Sequence, residues 1–256
     1  MHPILLQIGP ITLYSYGLFV ALGILAALFI GKKLAKLEGI SEKIFEKIYL
    51  YAIISGIVGA RIFFFIYNPS FLRDLKNLFL IWKGGLVWYG GLLFGILTVT
   101  YLIKKYNLKS KIWKIADIAA VCISIGLGFG RIGCTMAGCC YGVPYHGPLA
   151  IKFTDPHSLA PKGIYLFPSQ PISSLANFLI FFILYFLYKR KKFDGQIFSL
   201  FLILYGIFRF IIEFFRATPK IIFGLSENQI LSLIFILVGI IIYLKRLKES
   251  QKTKTI

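Results

Sequence analysis

Long apolar runs, separated by short polar or basic stretches, recur along this chain. A helix needs about 20 predominantly apolar residues to cross a hydrocarbon core of about 30 Å. Seven runs approach or reach that length, at about 16–31, 48–66, 84–103, 115–131, 171–188, 195–216 and 228–244. The pattern predicts an all-α integral membrane protein with seven transmembrane helices.

Composition supports a membrane protein and leaves little room for a soluble domain. Hydrophobic residues make up 58% of the chain and aromatic residues 17%, and the mean hydropathy of +0.79 is too high for a soluble globular domain. The longest connection, at about 132–170, has fewer than forty residues. We therefore expect a single transmembrane domain over residues 1–256, with 132–170 as a loop insertion between the fourth and fifth helices.

The positive charge follows the helix connections. The formal net charge is +19, but 19 of the 29 Lys and Arg lie in alternating connections and the C-terminal tail, at 32–47, 104–114, 189–194 and 245–256. The positive-inside rule places these segments in the cytoplasm, with the N-terminus and the 132–170 loop outside. The charge thus reflects topology and does not indicate nucleic-acid binding. Since no basic segment precedes the first apolar run, we expect that run to remain as a helix and not to be a cleaved signal peptide.

The segment 126–142, GLGFGRIGCTMAGCCYG, places Arg131 among glycines at the end of an apolar run. An ionised guanidinium inside a membrane costs several kcal/mol unless it meets a partner. Glycines allow backbone N–H groups and neighbouring helices to approach closely, which suits a phosphate ligand. One interpretation is a phospholipid-headgroup site at Arg131. The other is that the glycines serve helix packing while Arg131 extends to the interface.

The sixth apolar run contains the segment YGIFRFIIEFFR. Helical spacing puts Tyr205, Arg209, Glu213 and Arg216 on one face, with Arg209 and Glu213 close enough to pair. One interpretation is that Arg209 and Glu213 only neutralise each other's charge, while Arg216 lies at the membrane interface. The other is that the charges form a functional site, as intramembrane charges often do.

Other polar residues lie near the predicted outer surface. Arg61, in the second helix, is another intramembrane arginine. Tyr16 and Tyr89 each either anchor a helix at the interface or hydrogen-bond a headgroup. Gln229 lies in a polar helix start, where such residues are often caps.

Charged and polar groups from different helices share one predicted depth. Their helices run in different directions, yet six residues project to the outer third of the membrane: Arg61, Tyr89, Arg131, Arg209, Glu213 and Arg216. We infer a cationic cavity that opens towards the outer leaflet, with an excess of arginine suited to phosphate.

Three cysteines follow the Arg131 segment. Cys134, Cys139 and Cys140 have a C-x4-C-C spacing that does not match a paired zinc motif, so we predict no metal site. Because the loop faces the oxidising side, we expect Cys134 to bridge Cys139 or Cys140, with free thiols as the alternative.

Several motifs occur in one order along nearly the whole chain: SYG at 15–17, GARI at 59–62, GGLVWYGG at 84–91, GRIG at 130–133, AGCCYG at 137–142, PSQ at 168–170, YGIFRFIIEFFR at 205–216 and NQILS at 228–232. In these motifs the chain resembles the bacterial prolipoprotein diacylglyceryl transferase family. The resemblance implies transfer of the diacylglyceryl group of phosphatidylglycerol to the lipobox cysteine thiol of a prolipoprotein signal peptide. The products would be a thioether and glycerol 1-phosphate. The resemblance further implies a multi-pass protein of the bacterial inner (cytoplasmic) membrane with its site towards the periplasm, and we expect no cofactor.

The resemblance also implies residue roles, with Arg131 binding phosphatidylglycerol and Arg209 acting at the reacting end. Together with the chemistry of the side chains, it leads us to predict as catalytic Arg131, Arg209, Tyr89 and Glu213. The predicted substrate-binding residues are Arg131, Tyr16, Arg61, Gly142, Gln170, Tyr205, Arg216 and Gln229. Tyr89 stands where the best-known members have histidine, and Cys134 and Cys139 stand where their signature has asparagine and glutamate.

Two other function classes remain open. A protein that binds or transports anionic phospholipids without transferase activity would use the same cavity, but a transporter should show inverted repeats and polar residues reaching the cytoplasmic side. A thiol-redox membrane protein should offer a CxxC-type pair. The sequence shows no inverted repeats, no polar residues reaching the cytoplasmic side and no CxxC pair.

Overall fold

Seven long helices form the body of the protein in the part of the chain that the structure, a computed structural model, describes: residues 1–9, 11–69 and 85–254. They are α1 (Ser15–Leu37), α2 (Glu42–Tyr67), α3 (Trp88–Lys105), α4 (Ile112–Ala137), α5 (Ser169–Tyr188), α6 (Gln196–Glu213) and α7 (Glu227–Lys254). Each predicted apolar run lies largely within one of these helices. The first residue of the third run, Gly84, lies outside the described residues.

Six of the helices, all except α3, are long and apolar enough to cross a membrane. The chain is therefore a multi-pass integral membrane protein. Helix α3 has 18 residues and carries Lys104 and Lys105 in its last turn, which lowers its hydropathy.

Three short antiparallel hairpins accompany the helices and are absent from the all-α prediction. They pair β1 (Ile4–Ile8) with β2 (Ile11–Tyr14), β3 (Ile151–Lys152) with β4 (Tyr165–Leu166), and β5 (Lys220–Ile222) with β6 (Leu225–Ser226). The first leads directly into α1, and the third joins α6 to α7. All three consist of strands of two to five residues, for which a hydropathy pattern gives little information.

The chain divides into two compact units, Lys32–Ile112 and the combination of Met1–Gly31 with Trp113–Ile256. In the Lys32–Ile112 unit, α2 packs against α3 through glycines. A Cβ atom at Gly59 would lie 2.5 Å from the carbonyl oxygen of Gly90, and one at Gly90 would meet the oxygen of Gly59. The small residues therefore allow the two backbones to touch, as is common between helices in membranes.

In the larger unit, α4 contacts the first part of α1 on one side and α5 on another. A Cβ atom at Gly23 would lie 3.0 Å from Cβ of Phe129, and one at Gly128 would lie 2.8 Å from the ring of Phe178. The Ser174 hydroxyl donates a hydrogen bond of 2.9 Å to the Gly128 carbonyl. Helix α4 is thus held at close range from two directions, and its C-terminal end is fixed.

Asp117, near the start of α4, joins three segments of the larger unit. The side chain is fully buried. It accepts hydrogen bonds from Lys191 Nζ at 3.0 Å and from the backbone N–H groups of Gly195 and Phe198 at 2.9 Å each. These two N–H groups belong to the N-terminal end of α6. N–H groups at that end lack partners within the helix, and the end carries a partial positive charge. The sequence analysis did not identify this anchor.

Candidate functional site

Polar side chains of the larger unit gather where several helix ends meet. The C-terminal ends of α4 and α6 lie there with the N-terminal ends of α1, α5 and α7 and with the loop between α4 and α5. Four contacts define this meeting point: Gly133 with Tyr16, Gln170 with Cys139, Gly142 with Arg216, and Asn228 with Glu213. Most of the predicted site residues lie on these segments.

Glu213 at the end of α6 is shared by two arginines. Its Oε2 atom lies 3.0 Å from Nη1 of Arg209 and 3.4 Å from Nη1 of Arg216. The three side chains are 0%, 11% and 7% exposed, so the charges are held away from solvent. Two guanidinium groups on one carboxylate leave net positive charge in a buried position.

The second oxygen of Glu213 is also fully engaged. Its Oε1 atom accepts hydrogen bonds from Thr218 Oγ1 at 2.9 Å, Asn228 Nδ2 at 2.9 Å and Ser226 Oγ at 3.2 Å. A carboxylate with five donors around it is strongly held in its ionised form and in one orientation. Glu213 therefore ties the end of α6 to the start of α7 and positions both arginines.

Arg131 lies in the same cluster as Arg209. Arg131, Tyr205 and Arg216 are all close enough to Arg209 for their charges to interact. Arg131 is also close to Cys134, Cys140 and Tyr205. The two arginines assigned to the site from the sequence thus belong to one group of charges, in which Glu213 is the counterion among the described residues.

The turn that follows α4 has an unusual backbone that is fixed by the start of α5. Gly138 has φ +75° and Cys140 has φ +59°, which is in the left-handed region. The Cys139 carbonyl accepts a hydrogen bond of 2.9 Å from Gln170 Nε2, and the Cys140 carbonyl accepts one of 3.1 Å from Ser169 Oγ. Both donors are buried, so the turn has a defined conformation.

Gly142 brings the loop against the segment that follows α6. It pairs with Arg216 in an antiparallel bridge, and the Val143 N–H donates to the Phe215 carbonyl at 3.1 Å. A Cβ atom at Gly142 would lie 2.5 Å from the Phe167 carbonyl oxygen and 2.9 Å from that of Phe215. Only glycine fits this backbone approach without a shift.

The sulfur atoms of Cys134, Cys139 and Cys140 all lie within 4.8 Å of one another. All four cysteines of the chain are free thiols, so the expected bridge from Cys134 to Cys139 or Cys140 is wrong for this structure. A disulfide requires about 2.05 Å between sulfurs and a specific torsion. The side chains of Gln170 and Ser169 donate to the carbonyls of Cys139 and Cys140 and hold these residues in a turn. In this turn the thiols are hydrogen-bonded to one another and are not joined by a disulfide.

The environment of the two loop thiols separates their protonation. Hydrogen bonds from the Cys134 and Cys139 thiols, with the guanidinium groups of Arg216 and Arg131, lower the pKa of Cys140. Hydrogen bonding to Cys134 and to Cys140 raises the pKa of Cys139, which keeps its proton. The pKa values of the two thiols are therefore shifted in opposite directions, and Cys140, the most exposed member of the cluster, is the more acidic.

Three other predicted site residues lie at the same helix ends. Tyr16 is 46% exposed, and its ring would be 3.1 Å from a Cβ atom placed at Gly133. Tyr205 is half-buried and stacks on Phe201 with ring centroids 5.5 Å apart. Gln170 is buried and uses its amide on the Cys139 carbonyl, so it holds the loop.

Gln229 forms a capping box at the start of α7. Its Oε1 atom accepts from the Ser226 N–H at 2.9 Å, and its own N–H donates to Ser226 Oγ at 3.3 Å, a reciprocal pair typical of helix N-termini. Its Nε2 atom is buried without a hydrogen-bond partner in the described part of the chain. Gln229 thus caps the helix, and its side-chain amide nitrogen remains available as a hydrogen-bond donor.

Arg61 and Tyr89 belong to the Lys32–Ile112 unit. Arg61 is buried, donates a hydrogen bond of 2.9 Å to the Gly85 carbonyl and lies over the Phe65 ring at 5.1 Å. The Tyr89 ring contacts that of Trp88, with centroids 4.1 Å apart. Within this unit, Arg61 therefore holds the segment that enters α3.

A family model described as prolipoprotein diacylglyceryl transferase matches residues 3–245. The chain belongs to this family. Its relatives in the family include proteins named phosphatidylglycerol–prolipoprotein diacylglyceryl transferase from three organisms. The protein of Clostridium tetani is 37% identical over 95% of this chain and 97% of its own length. The protein of Finegoldia magna is 34% identical over 99% of both chains, and that of Thermotoga maritima is 30% identical over 97% of this chain and 85% of its own.

In this member of the prolipoprotein diacylglyceryl transferase family, the structure adds residues that the sequence analysis did not assign. Ser169, Thr218, Ser226 and Asn228 all donate to the site's carboxylate or loop carbonyls. Three of them, Ser169, Ser226 and Asn228, are small polar residues at helix starts, where capping is the usual role, and Thr218 lies between α6 and β5. The sequence signals were that Ser169 and Asn228 lie within the PSQ and NQILS motifs and that Ser226 lies two residues before the latter.

Proposed function

We propose that this protein transfers the diacylglyceryl group of phosphatidylglycerol to the lipobox cysteine thiol of a prolipoprotein signal peptide. The products are a thioether-linked lipid on the peptide and glycerol 1-phosphate. The proposal is supported by the excess of guanidinium charge at one end of the larger unit, where Arg209 and Arg216 share the carboxylate of Glu213 and Arg131 lies close enough to Arg209 for their charges to interact. Such a cluster suits a lipid phosphate, which carries the charge needed to balance it.

The arginines have different roles around the phosphate in this proposal. We assign Arg131 to the phosphatidylglycerol headgroup, and Arg209 to the leaving phosphate or the incoming thiolate. Negative charge grows on the leaving oxygen during the transfer, and guanidinium groups already held in place stabilise it without further reorganisation. Arg216 adds charge to the same group and is positioned by Glu213.

Glu213 acts as a positioning residue in this scheme. The sequence analysis placed it in the catalytic set, but its five donors leave it poorly suited to accept a further proton. The orientation that it imposes on Arg209 and Arg216 is its contribution to the reaction. Its contacts with α7 also keep the end of α6 in place.

The remaining predicted residues shape and bind the substrate. Tyr16, Tyr205 and Gln229 would offer hydrogen bonds to the headgroup or glycerol. Gly142 and Gln170 fix the loop beside Arg216. For Arg61 and Tyr89, in the Lys32–Ile112 unit, the roles predicted from the sequence stay predictions: binding of the anionic lipid for Arg61, and a hydrogen bond to the phosphate or the thiol for Tyr89.

We further propose that the protein lies in the bacterial inner membrane and that all seven helices cross it, forming a single transmembrane domain. The N-terminus and the loop between α4 and α5 face the periplasm, and the C-terminus is cytoplasmic. The meeting of the C-terminal ends of α4 and α6 with the N-terminal ends of α5 and α7 is what alternating helices require. The site then opens towards the periplasmic side.

The test is lipidation of a lipobox peptide by purified protein in phosphatidylglycerol-containing micelles. Wild-type protein should increase the peptide mass by one diacylglyceryl group and release glycerol 1-phosphate. Arg131→Ala and Arg209→Ala should each abolish this shift, whereas Arg190→Ala, at an exposed arginine after α5, should retain it. Wild-type rates in both site variants would reject the assignment. Binding of phosphatidylglycerol with no change in peptide mass would instead support an anionic-lipid binding protein.

A further inference from the structure

The three thiols beside Arg131 have no role in the scheme above. Cys134 lies on the last turn of α4, and Cys139 and Cys140 lie in the following turn, with all three sulfurs within 4.8 Å of one another. We propose that they bind one Zn²⁺ ion whose open fourth position takes the thiol of the incoming peptide. This inference rests on the proposed transferase function and identifies how its thiol substrate is activated.

The spacing of the sulfurs fits a thiophilic ion. Zn–S bonds of about 2.3 Å in tetrahedral geometry place sulfur atoms roughly 3.8 Å apart. The largest separation here is at most 4.8 Å, so only a small contraction of the cluster is needed to reach this spacing. Thiolate is a soft ligand and selects Zn²⁺ over harder cations such as Mg²⁺. Zinc sites with three protein ligands and an open position are typical of catalytic zinc.

The backbone around the thiols is fixed as a ligand site requires. Cys140 has φ +59°, a conformation that is unfavourable for a non-glycine residue and persists where surrounding structure imposes it. Here Gln170 and Ser169 impose it through the carbonyls of Cys139 and Cys140. Cys134 is buried while Cys140 is exposed, so an ion held by the three thiols would be reached from the side of Cys140. That side provides the open coordination position.

The charges around the thiols suit a metal–thiolate group. Three thiolates and one divalent cation carry a net charge of −1. Arg131 and Arg216 both lie close enough to Cys140 to stabilise that charge. The same arginines serve the lipid phosphate in the proposed function, so a thiol on the fourth position would lie beside the carbon that it attacks.

No free carboxylate in the described cluster can accept the proton of the peptide thiol, since Glu213 already has donors on both oxygens. Coordination to the metal would instead make the thiol acidic enough to lose this proton. The peptide thiol replaces water on Zn²⁺ and releases its proton to solvent, because a coordinated thiol is deprotonated. Its sulfur electron pair then forms a bond to the glycerol carbon. The C–O bond to phosphate breaks, and its electron pair leaves with glycerol 1-phosphate. The neutral thioether dissociates, and the ion and three cysteines are unchanged.

Metal binding is tested first, on the full-length protein in detergent, reduced and stripped of metal. Titration with Zn²⁺ should load one ion per chain by elemental analysis, and Co²⁺ should give thiolate charge-transfer absorption. Cys134→Ser, Cys139→Ser and Cys140→Ser should each weaken Zn²⁺ binding by more than about 100-fold, since changes that only orient a ligand already cost ~10–100-fold. Cys122→Ser is the matched control, because this buried thiol donates to the Ala27 carbonyl. Binding that is absent from wild-type protein, or unchanged in the three variants, overturns the site.

The role of the ion is tested by lipidation of the lipobox peptide. Chelation should abolish the mass shift, and one equivalent of Zn²⁺ should restore it. Full activity in metal-free protein overturns the inference while leaving the transferase function intact. A protein that binds Zn²⁺ at these cysteines but lipidates no peptide under any condition overturns the transferase function and, with it, the activating role. A disulfide among the three cysteines in active protein also overturns the inference.

Discussion

Arg209 and Glu213 lie one helical turn apart on α6, and Nη1 of the arginine meets Oε2 of the glutamate at 3.0 Å. This is the pair that the i, i+4 spacing predicted. The pair does not cancel the charge of its surroundings, because Arg216 shares the same carboxylate oxygen and Arg131 lies nearby. One carboxylate therefore organises a cationic site.

Replacing Glu213 with alanine should destabilise the protein and abolish lipidation. The change leaves two buried guanidinium groups without their counterion, and breaking a buried ion pair costs about 3–5 kcal/mol. The thermal unfolding temperature in detergent and the rate of peptide lipidation both measure this. The control is Glu249→Ala, which removes the partner of Arg246 in an i, i+3 pair at the surface. Exposed pairs contribute about 0–1 kcal/mol, so equal losses in the two variants would contradict the role of Glu213.

Gly142→Ala should lower both stability and activity, because the new Cβ atom would lie 2.5 Å from the Phe167 carbonyl oxygen. Overpacking of this kind costs about 1–3 kcal/mol. Gly130→Ala is the matched control, since its Cβ atom meets nothing within 4 Å and alanine favours the helix. Unfolding temperatures of the two variants, measured side by side, check the prediction. A Gly142→Ala protein as stable as the Gly130→Ala protein would show that the loop can shift at no cost.

Asp117→Ala should destabilise the protein without any direct contact with the arginine cluster. The buried carboxylate holds Lys191 and two N–H groups of the α6 terminus, and its loss should cost about 3–5 kcal/mol. Asp194→Ala removes the other, more exposed carboxylate partner of Lys191 and should cost no more than about 1 kcal/mol. Chemical unfolding followed by tryptophan fluorescence compares them. The interpretation fails if Asp194 proves the more important of the two.

Gln229 allows its capping and substrate roles to be separated. Gln229→Glu keeps an acceptor oxygen for the Ser226 N–H and should retain the unfolding temperature, whereas Gln229→Ala should lose about 1 kcal/mol. Glutamate lacks the amide donor and adds negative charge, so Gln229→Glu should raise KM for phosphatidylglycerol. Steady-state lipidation kinetics measure this change. An unaltered KM in Gln229→Glu would leave Gln229 as a cap alone.

The helices could be predicted from the sequence because spanning a membrane requires long apolar runs. The pairing of Arg209 with Glu213 could also be predicted, since helical spacing fixes it. Asp117 could not, because a single carboxylate at a helix start resembles an ordinary interfacial charge until Gly195 and Phe198 are brought to it. The hairpins were missed because their strands are no longer than five residues.

The cysteines show a different limit of sequence reasoning. Spacing and compartment led to an expected bridge, but bond formation depends on backbone conformation at Cys140, which Ser169 and Gln170 determine from a distant part of the chain. The same contacts explain why a spacing outside known zinc motifs still brings three sulfurs together.

The donors that cap the Cys139 and Cys140 carbonyls come 31 and 29 residues later in the chain. Backbone carbonyls in a turn have no partners within a helix, so these side-chain donors satisfy them. During biosynthesis, the turn after α4 can therefore reach this conformation only after Ser169 and Gln170 have been synthesised. The site can thus be completed only after translation has continued well beyond Arg131.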